Sequence, residues 1–198
     1  DIDTNILIES VSRGMVRFGA AFPAVELLPT DQLNRILASL ARRGDAGRDL
    51  HASVDGWDEL RRQIAQRRCM QGCPLDADEI LMTSGGTESL SLALQVTTRP
   101  GDLVAVESPT YFGILQILDI LGLQGIEIPT HPETGISLEA LEFALVHDKV
   151  SAVVVMTNFS NPVGSSVPDA AKRRLAAMLA ERDIPLIEDD VDGELYFE

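Results

Sequence analysis

Four short stretches carry residue types that could do chemistry. Thr83-Ser84-Gly85-Gly86-Thr87-Glu88-Ser89-Leu90 follows the apolar run Ile80-Leu81-Met82 and opens a helical pattern, so it reads as strand, glycine turn, helix. Two successive glycines let the backbone approach a ligand closely. The amides of Gly86 and Thr87 then stand at a helix start, where an anion such as a phosphate is favoured. An ordinary tight turn explains the glycine pair equally well. Ser108-Pro109-Thr110-Tyr111-Phe112-Gly113 fixes its turn with a proline and leaves Tyr111 near the next helix start, either to stack on a flat ring or to pack at the core edge. Asn158-Phe159-Ser160-Asn161-Pro162-Val163-Gly164 is rich in amides and hydroxyls, and Asn161 is either a donor to a ligand oxygen or a turn residue. Glu188-Asp189-Asp190-Val191-Asp192-Gly193-Glu194 crowds carboxylates, which calls for a protonated nitrogen or a cation nearby, unless the run is a solvated face or a magnesium site.

Strands and helices must bring these stretches together. After Asp76 short apolar runs alternate with helical patterns. The expected strands are Ile80 to Thr83, Leu103 to Glu107, Ile126 to Ile128, Ala152 to Thr157 and Pro185 to Glu188, and the expected helices cover 88–97, 111–121, 137–147 and 168–182. Leu90, Leu94 and Val96 form the expected inward face of the first of these helices. The fold class is therefore α/β, a mainly parallel sheet with helices on both faces. Such sheets bind ligands where loops leave the carboxyl ends of the strands, and the polar stretches fall at those ends. A phosphate-suited turn, an aromatic ring, an amide and a carboxylate together suit a phosphorylated aromatic cation. Pyridoxal phosphate has these parts, and its electron-sink ring needs a carboxylate to keep the pyridine nitrogen protonated.

Composition narrows the function. The 198 residues are 45% hydrophobic, enough for the core of one domain or of one domain and a fragment. A formal net charge of −15 excludes a sequence-independent nucleic-acid surface, which needs clustered Lys and Arg. No apolar run reaches the ~18 residues of a membrane span and no basic-then-apolar leader opens the chain, so a cytoplasmic protein without membrane contact is expected. Cys69 and Cys73 read as free thiols, and His51, His131 and His147 are too scattered for a zinc site, so no metal ligand is expected. Residues 1–75 read as an N-terminal segment and helices leading into the domain, and residues 76–198 as the ligand-binding large domain. Met15 to Pro23 reads as extended. Thr30 caps a helix carrying Leu33, Ile36, Leu37 and Leu40. A loop from Gly44 to Gly56 leads to a second helix near Trp57, with Leu60, Ile64 and the Arg67 stem on one face.

In order and spacing, Thr83 to Leu90, Glu107-Ser108-Pro109-Thr110-Tyr111, Ser160-Asn161-Pro162-Val163-Gly164 and Ile187-Glu188-Asp189-Asp190 resemble fold-type I aminotransferases over most of the chain. Phe18-Gly19-Ala20-Ala21-Phe22-Pro23 with Leu27-Leu28-Pro29, and the run from Glu188 to Phe197, look like the aminotransferase-like effector domain of MocR/GntR transcription regulators. The resemblance implies the large domain of that fold, incomplete, with Gly86 and Thr87 cradling the phosphate of pyridoxal phosphate. It implies Tyr111 stacked on the ring, Asn161 on the ring hydroxyl oxygen and Asp189 on the pyridine nitrogen. It further implies a homodimer, an amino-acid-related ligand, and contact with DNA only through a winged-helix domain outside this chain.

Departures from the family are informative. Its tyrosine near the acidic strand end is replaced here by Val191 or Asp192, neither of which has a phenol donor, and His51 stands where relatives use a tyrosine toward the partner subunit's phosphate. By the resemblance, the Schiff-base lysine and the substrate-carboxylate arginine lie beyond Glu198, so no catalytic residue is assigned. Lys149 near a helix end and Lys172 on an expected surface face are not substitutes. A fragment without the last two strands and the small domain, catalytically inert alone, is expected. Three functions remain: the cofactor domain of a regulator that senses or transaminates amino-acid-related ligands, a stand-alone class I aminotransferase, and a magnesium-dependent α/β enzyme using the carboxylates from Glu188 to Glu194.

Overall fold

Five strands form among the described residues, four of them at expected apolar runs and β3 at a pair of residues the sequence did not single out: β1 (Leu103–Ser108), β2 (Gln124–His131), β3 (Gly135–Ile136), β4 (Val150–Val155) and β5 (Leu186–Glu188). Before and between them lie helices α1 (Thr30–Arg43), α2 (Asp58–Met70), α3 (Gly86–Thr97), α4 (Phe112–Ile120), α5 (Leu138–His147) and α6 (Asp169–Ala180). The computed structural model describes residues 23–43 and 53–196, in two units that divide between Ser84 and Gly85. His51 and the segment from Met15 to Phe22 lie outside the described residues.

From Gly85 onward the strands form one sheet of order β3-β2-β1-β4-β5. β1, β2, β4 and β5 run parallel, and β3 turns back on β2, pairing Thr130 with Ile136 and His131 with Gly135. Central strand β1 shows why both faces need helices. Val104 and Val106 pack with Leu90 and Leu94 of α3 and with Ile114, Ile117 and Leu118 of α4. Ala105, between them, packs with Leu141 of α5 and Leu175 and Leu179 of α6. Successive strand residues face opposite sides, so a strand covered on both sides is apolar throughout rather than alternating. These three residues are at most 1% exposed. α5 opens at Ser137, whose Oγ accepts the Ala140 N–H at 3.2 Å, which satisfies one donor of the first helical turn.

The expectations for Ile80 to Thr83 and for Val96 change. Ile80 to Thr83 belongs to the unit ending at Ser84 and joins no strand ladder among the described residues. A strand is made by hydrogen-bonded neighbours and not by an apolar run alone. The Met82 N–H donates instead to the Asp55 carbonyl at 2.9 Å. Val96 is 83% exposed while Leu90 and Leu94 are buried, because two residues past Leu94 carry it about 200° round the helix.

In the unit ending at Ser84, α1 begins with acidic Asp31 and ends with Arg42 and Arg43, as the helix dipole favours. Its apolar face of Leu33, Ile36, Leu37 and Leu40 is 49% to 66% exposed. α2 turns Arg61 and Ala65 inward, whereas Leu60 of the expected inward face is 45% exposed. A buried guanidinium has to meet acceptors. Arg61 donates to Asp58 at 2.8 Å, to the Ala77 carbonyl at 3.2 Å and to Asp55 at 3.4 Å, which ties α2 to the turns on either side of it in sequence.

Candidate functional site

Chain direction brings the polar stretches to one edge. α3 ends at Thr97 and β1 begins at Leu103, so helix and strand run in opposite directions. Twelve helical residues rise about 18 Å and six strand residues span about 20 Å, so the start of α3 lies near the carboxyl end of β1. Val106 stands beside Val154 and Val155 beside Glu188. The loops carrying Tyr111, Asn161 and Asp189 therefore leave the sheet edge toward which the start of α3 points.

Gly85 caps α3 at φ 153°, with no side-chain cap, a conformation that residues with a Cβ rarely adopt. Gly86 and Thr87 are the first helical residues, whose amides have no carbonyl one turn earlier to bond. A Cβ on Gly85 or Gly86 would meet nothing within 4 Å. Packing among the described residues therefore does not demand the second glycine. Tyr111, half-buried, is the residue before α4 and rests against the cluster containing Leu90 and Ile114. Its ring lies over Gly113, where a Cβ would come within 2.4 Å of Cε1. Asn161 donates its backbone N–H to Met156 Sδ at 3.5 Å, and its side-chain amide is without a partner among the described residues.

The acidic strand end is sorted residue by residue. The Thr157 hydroxyl donates to Glu188, and Asn158 Nδ2 donates to Asp190 Oδ1 at 2.8 Å. Asp189 continues the ladder by one bond, from its N–H to the Val155 carbonyl at 2.9 Å. Its half-buried carboxylate accepts the Val191 N–H at 3.2 Å, and no side chain among the described residues donates to it. Burial pushes this carboxyl above the ordinary aspartate range; the Val191 N–H opposes the rise, and the charges of Asp192 and Asp190 add to it. Val191 thus acts through its backbone, and its side chain is 68% exposed. Among the described residues no three His, Cys, Asp or Glu side chains converge as a metal would require.

The family model for class I and II aminotransferases matches residues 27–198. The chain belongs to that aminotransferase family. It is 42% identical over its whole length to the HTH-type transcriptional regulator YdcR of Escherichia coli strain K12, of which it spans 43%. It is 48% identical over 139 residues, or 70% of its length, to the regulator YjiR of the same organism, of which it spans 30%. The crystal structure of LysN, the α-aminoadipate aminotransferase of Thermus thermophilus complexed with N-(5'-phosphopyridoxyl)-L-leucine, superposes with a TM-score of 0.80 at 28% identity. That match covers 96% of this chain and 48% of that one. The fold is that of the fold-type I aminotransferases, and the chain spans less than half the length of these relatives. Among the described residues no helix is long and apolar enough to cross a membrane.

Two polar residues of this aminotransferase domain escape a reading by motif. Lys172, expected on a surface face of α6, is half-buried and donates from Nζ to Asn158 Oδ1 at 2.6 Å. Glu107, on β1, is 2% exposed. Its Oε2 accepts the Met156 N–H at 2.7 Å, while Oε1 is buried with no partner among the described residues. Burial pushes this carboxyl up, against the lowering by the Met156 N–H. Its contribution to stability is therefore fully present below the ordinary glutamate value and is lost as pH rises through the raised folded value. Glu107→Gln has no charge to bury and is expected to flatten the fall in thermal midpoint as pH rises above the ordinary glutamate value. An unchanged slope would mean that Glu107 is charged in the fold without penalty.

Proposed function

We propose that this chain is the cofactor domain of a cytoplasmic, homodimeric transcription regulator that binds pyridoxal phosphate and senses or transaminates an amino-acid-related ligand, with DNA held by a separate winged-helix domain. The observation that carries the cofactor reading is Asp189, a half-buried carboxylate at a strand end, raised by burial and met by no side-chain donor among the described residues. A carboxylate in that state favours a protonated ring nitrogen opposite it. The regulator reading is supported by the likeness to YdcR and YjiR. A stand-alone aminotransferase is the second reading, favoured by the likeness to LysN. A basic winged-helix segment in the full-length protein decides between them.

When bound, pyridoxal phosphate supplies an electron sink for charge developing at the α-carbon of an amino acid. The residues of this chain hold and polarise it. The Gly86 and Thr87 amides, at the positive end of the α3 dipole, receive the phosphate. Asp189 would accept a hydrogen bond from the ring N–H and keep the proton there by charge pairing. Asn161 Nδ2 would donate to the ring hydroxyl oxygen, and Tyr111 would cover one ring face. Saturable one-to-one binding of pyridoxal phosphate to the full-length protein, competed by inorganic phosphate and indifferent to magnesium, is the expected titration. No saturable binding would refute the reading.

Gly113 gives a second expected outcome. A Cβ there would lie 2.4 Å from Tyr111 Cε1 and 2.8 Å from its hydroxyl, so Gly113→Ala forces the ring to turn aside. The ring tip can swing outward, so stability changes little, while pyridoxal phosphate affinity falls about tenfold with the loss of one stacked face. Unaltered affinity in a fluorescence titration would remove Tyr111 from the ring.

A further inference from the structure

Three carboxylates stand in succession at the end of β5, and the mechanism above uses only the middle one. Glu188 receives the Thr157 hydroxyl, and Asp190 receives Asn158 Nδ2 at 2.8 Å. The other end of the same Asn158 amide receives Lys172 Nζ at 2.6 Å. All three members of this chain of contacts are half-buried, and they come from three different places in the sequence: the residues after β4, helix α6 and the residues after β5.

We propose that Lys172 is a positioning residue for the cofactor site, acting through the Asn158 amide to hold Asp190 aside so that Asp189 faces the ring nitrogen. The proposal rests on the reading of Asp189 given above. An amide between an ammonium and a carboxylate has one favourable orientation, with its carbonyl toward the cation and its NH2 toward the anion. The distances show that orientation, and each contact polarises the next. The loop fits the resulting Asp190 rotamer closely, since a Cβ on Gly193 would overlap its carboxylate, 2.0 Å from Oδ1. Without the cation, nothing on the Lys172 side sets the Asn158 carbonyl away from Asp190. A flipped amide would set oxygen against oxygen and turn Asp190 from its place, next in sequence to Asp189. Like charge near Asp189 already acts to raise its carboxyl, so displacement of Asp190 disturbs the residue that must stay charged.

The test is a double-mutant cycle in the full-length protein, read as the dissociation constant for pyridoxal phosphate and as the thermal midpoint of the cofactor-free protein. Lys172→Met, which keeps an apolar stem of similar length, is expected to weaken cofactor binding about tenfold, and Asp190→Asn alone to stay within about twofold of the parent. In the Lys172→Met background, Asp190→Asn is expected to restore most of the loss, because an amide at 190 can meet Asn158 in either orientation. A purely structural role for the Lys172 stem predicts no rescue, and additive effects of the two substitutions overturn the proposal. Asp189→Asn serves as the reference arm. If it weakens the amino-acid response while Lys172 and Asp190 fail to couple, the proposal falls alone. If Asp189→Asn has no effect on binding or response, the reading of the site falls and takes the proposal with it.

Discussion

Asp189→Ala in the full-length protein is expected to lower the response to amino acids, whether turnover or sensing, by about 100-fold or more while weakening pyridoxal phosphate binding only about tenfold. The asymmetry follows from where the contacts lie. In the proposed site the phosphate is received at the start of α3, by amides that no substitution at the end of β5 removes. Among the three successive carboxylates Asp189 is the one proposed for the ring nitrogen, since Glu188 and Asp190 receive the Thr157 hydroxyl and the Asn158 amide. Each unit lost from the ring-nitrogen pKa costs about 1.4 kcal/mol in the charged state on which the electron sink depends. Equal losses in binding and response would assign Asp189 to binding only. No loss in either would remove it from the site.

Leu94→Ala is expected to destabilise the domain by about 2–5 kcal/mol, with a lower urea midpoint. Leu94 is 1% exposed and packs with Val104 and Val106 of the central strand and with α4. Deleting its side chain removes apolar burial and leaves a cavity whose walls are strands paired on both edges and unable to collapse. Val96→Ala on the same helix, at 83% exposure, is the control and should change stability by about 0.5 kcal/mol or less. Similar losses for the two variants would mean that α3 sits on the sheet by a different face.

The alternation of apolar runs and helical stretches after Asp76 made the α/β class legible, because a parallel sheet covered on both faces demands uninterrupted apolar strands such as Val104-Ala105-Val106. Three of the four polar stretches were legible for the same reason, since they follow β1, β4 and β5, whereas the stretch from Thr83 follows no strand among the described residues. Val96 apart, what failed depended on neighbours distant in sequence. Ile80 to Thr83 has the residues of a strand, yet pairing is a property of two segments. Val96 is apolar, yet the helical angle turns it away from Leu94 and the sheet. Lys172 looked like a surface residue because its partner, Asn158, lies 14 positions away in the sequence. Glu107 sits within an apolar run where only the approach of Met156, 49 residues on, gives its carboxylate a donor. No local pattern announces such contacts.

The central claim is that Asp189 holds a proton on a ring nitrogen at the strand ends. The most direct measurement is the nitrogen NMR shift of pyridoxal phosphate labelled with 15N in its ring and bound to the full-length protein at neutral pH. A protonated ring nitrogen in the parent that becomes unprotonated in Asp189→Ala is the predicted result. A ring nitrogen already unprotonated in the parent, or a protonated signal unchanged by the substitution, would contradict the account.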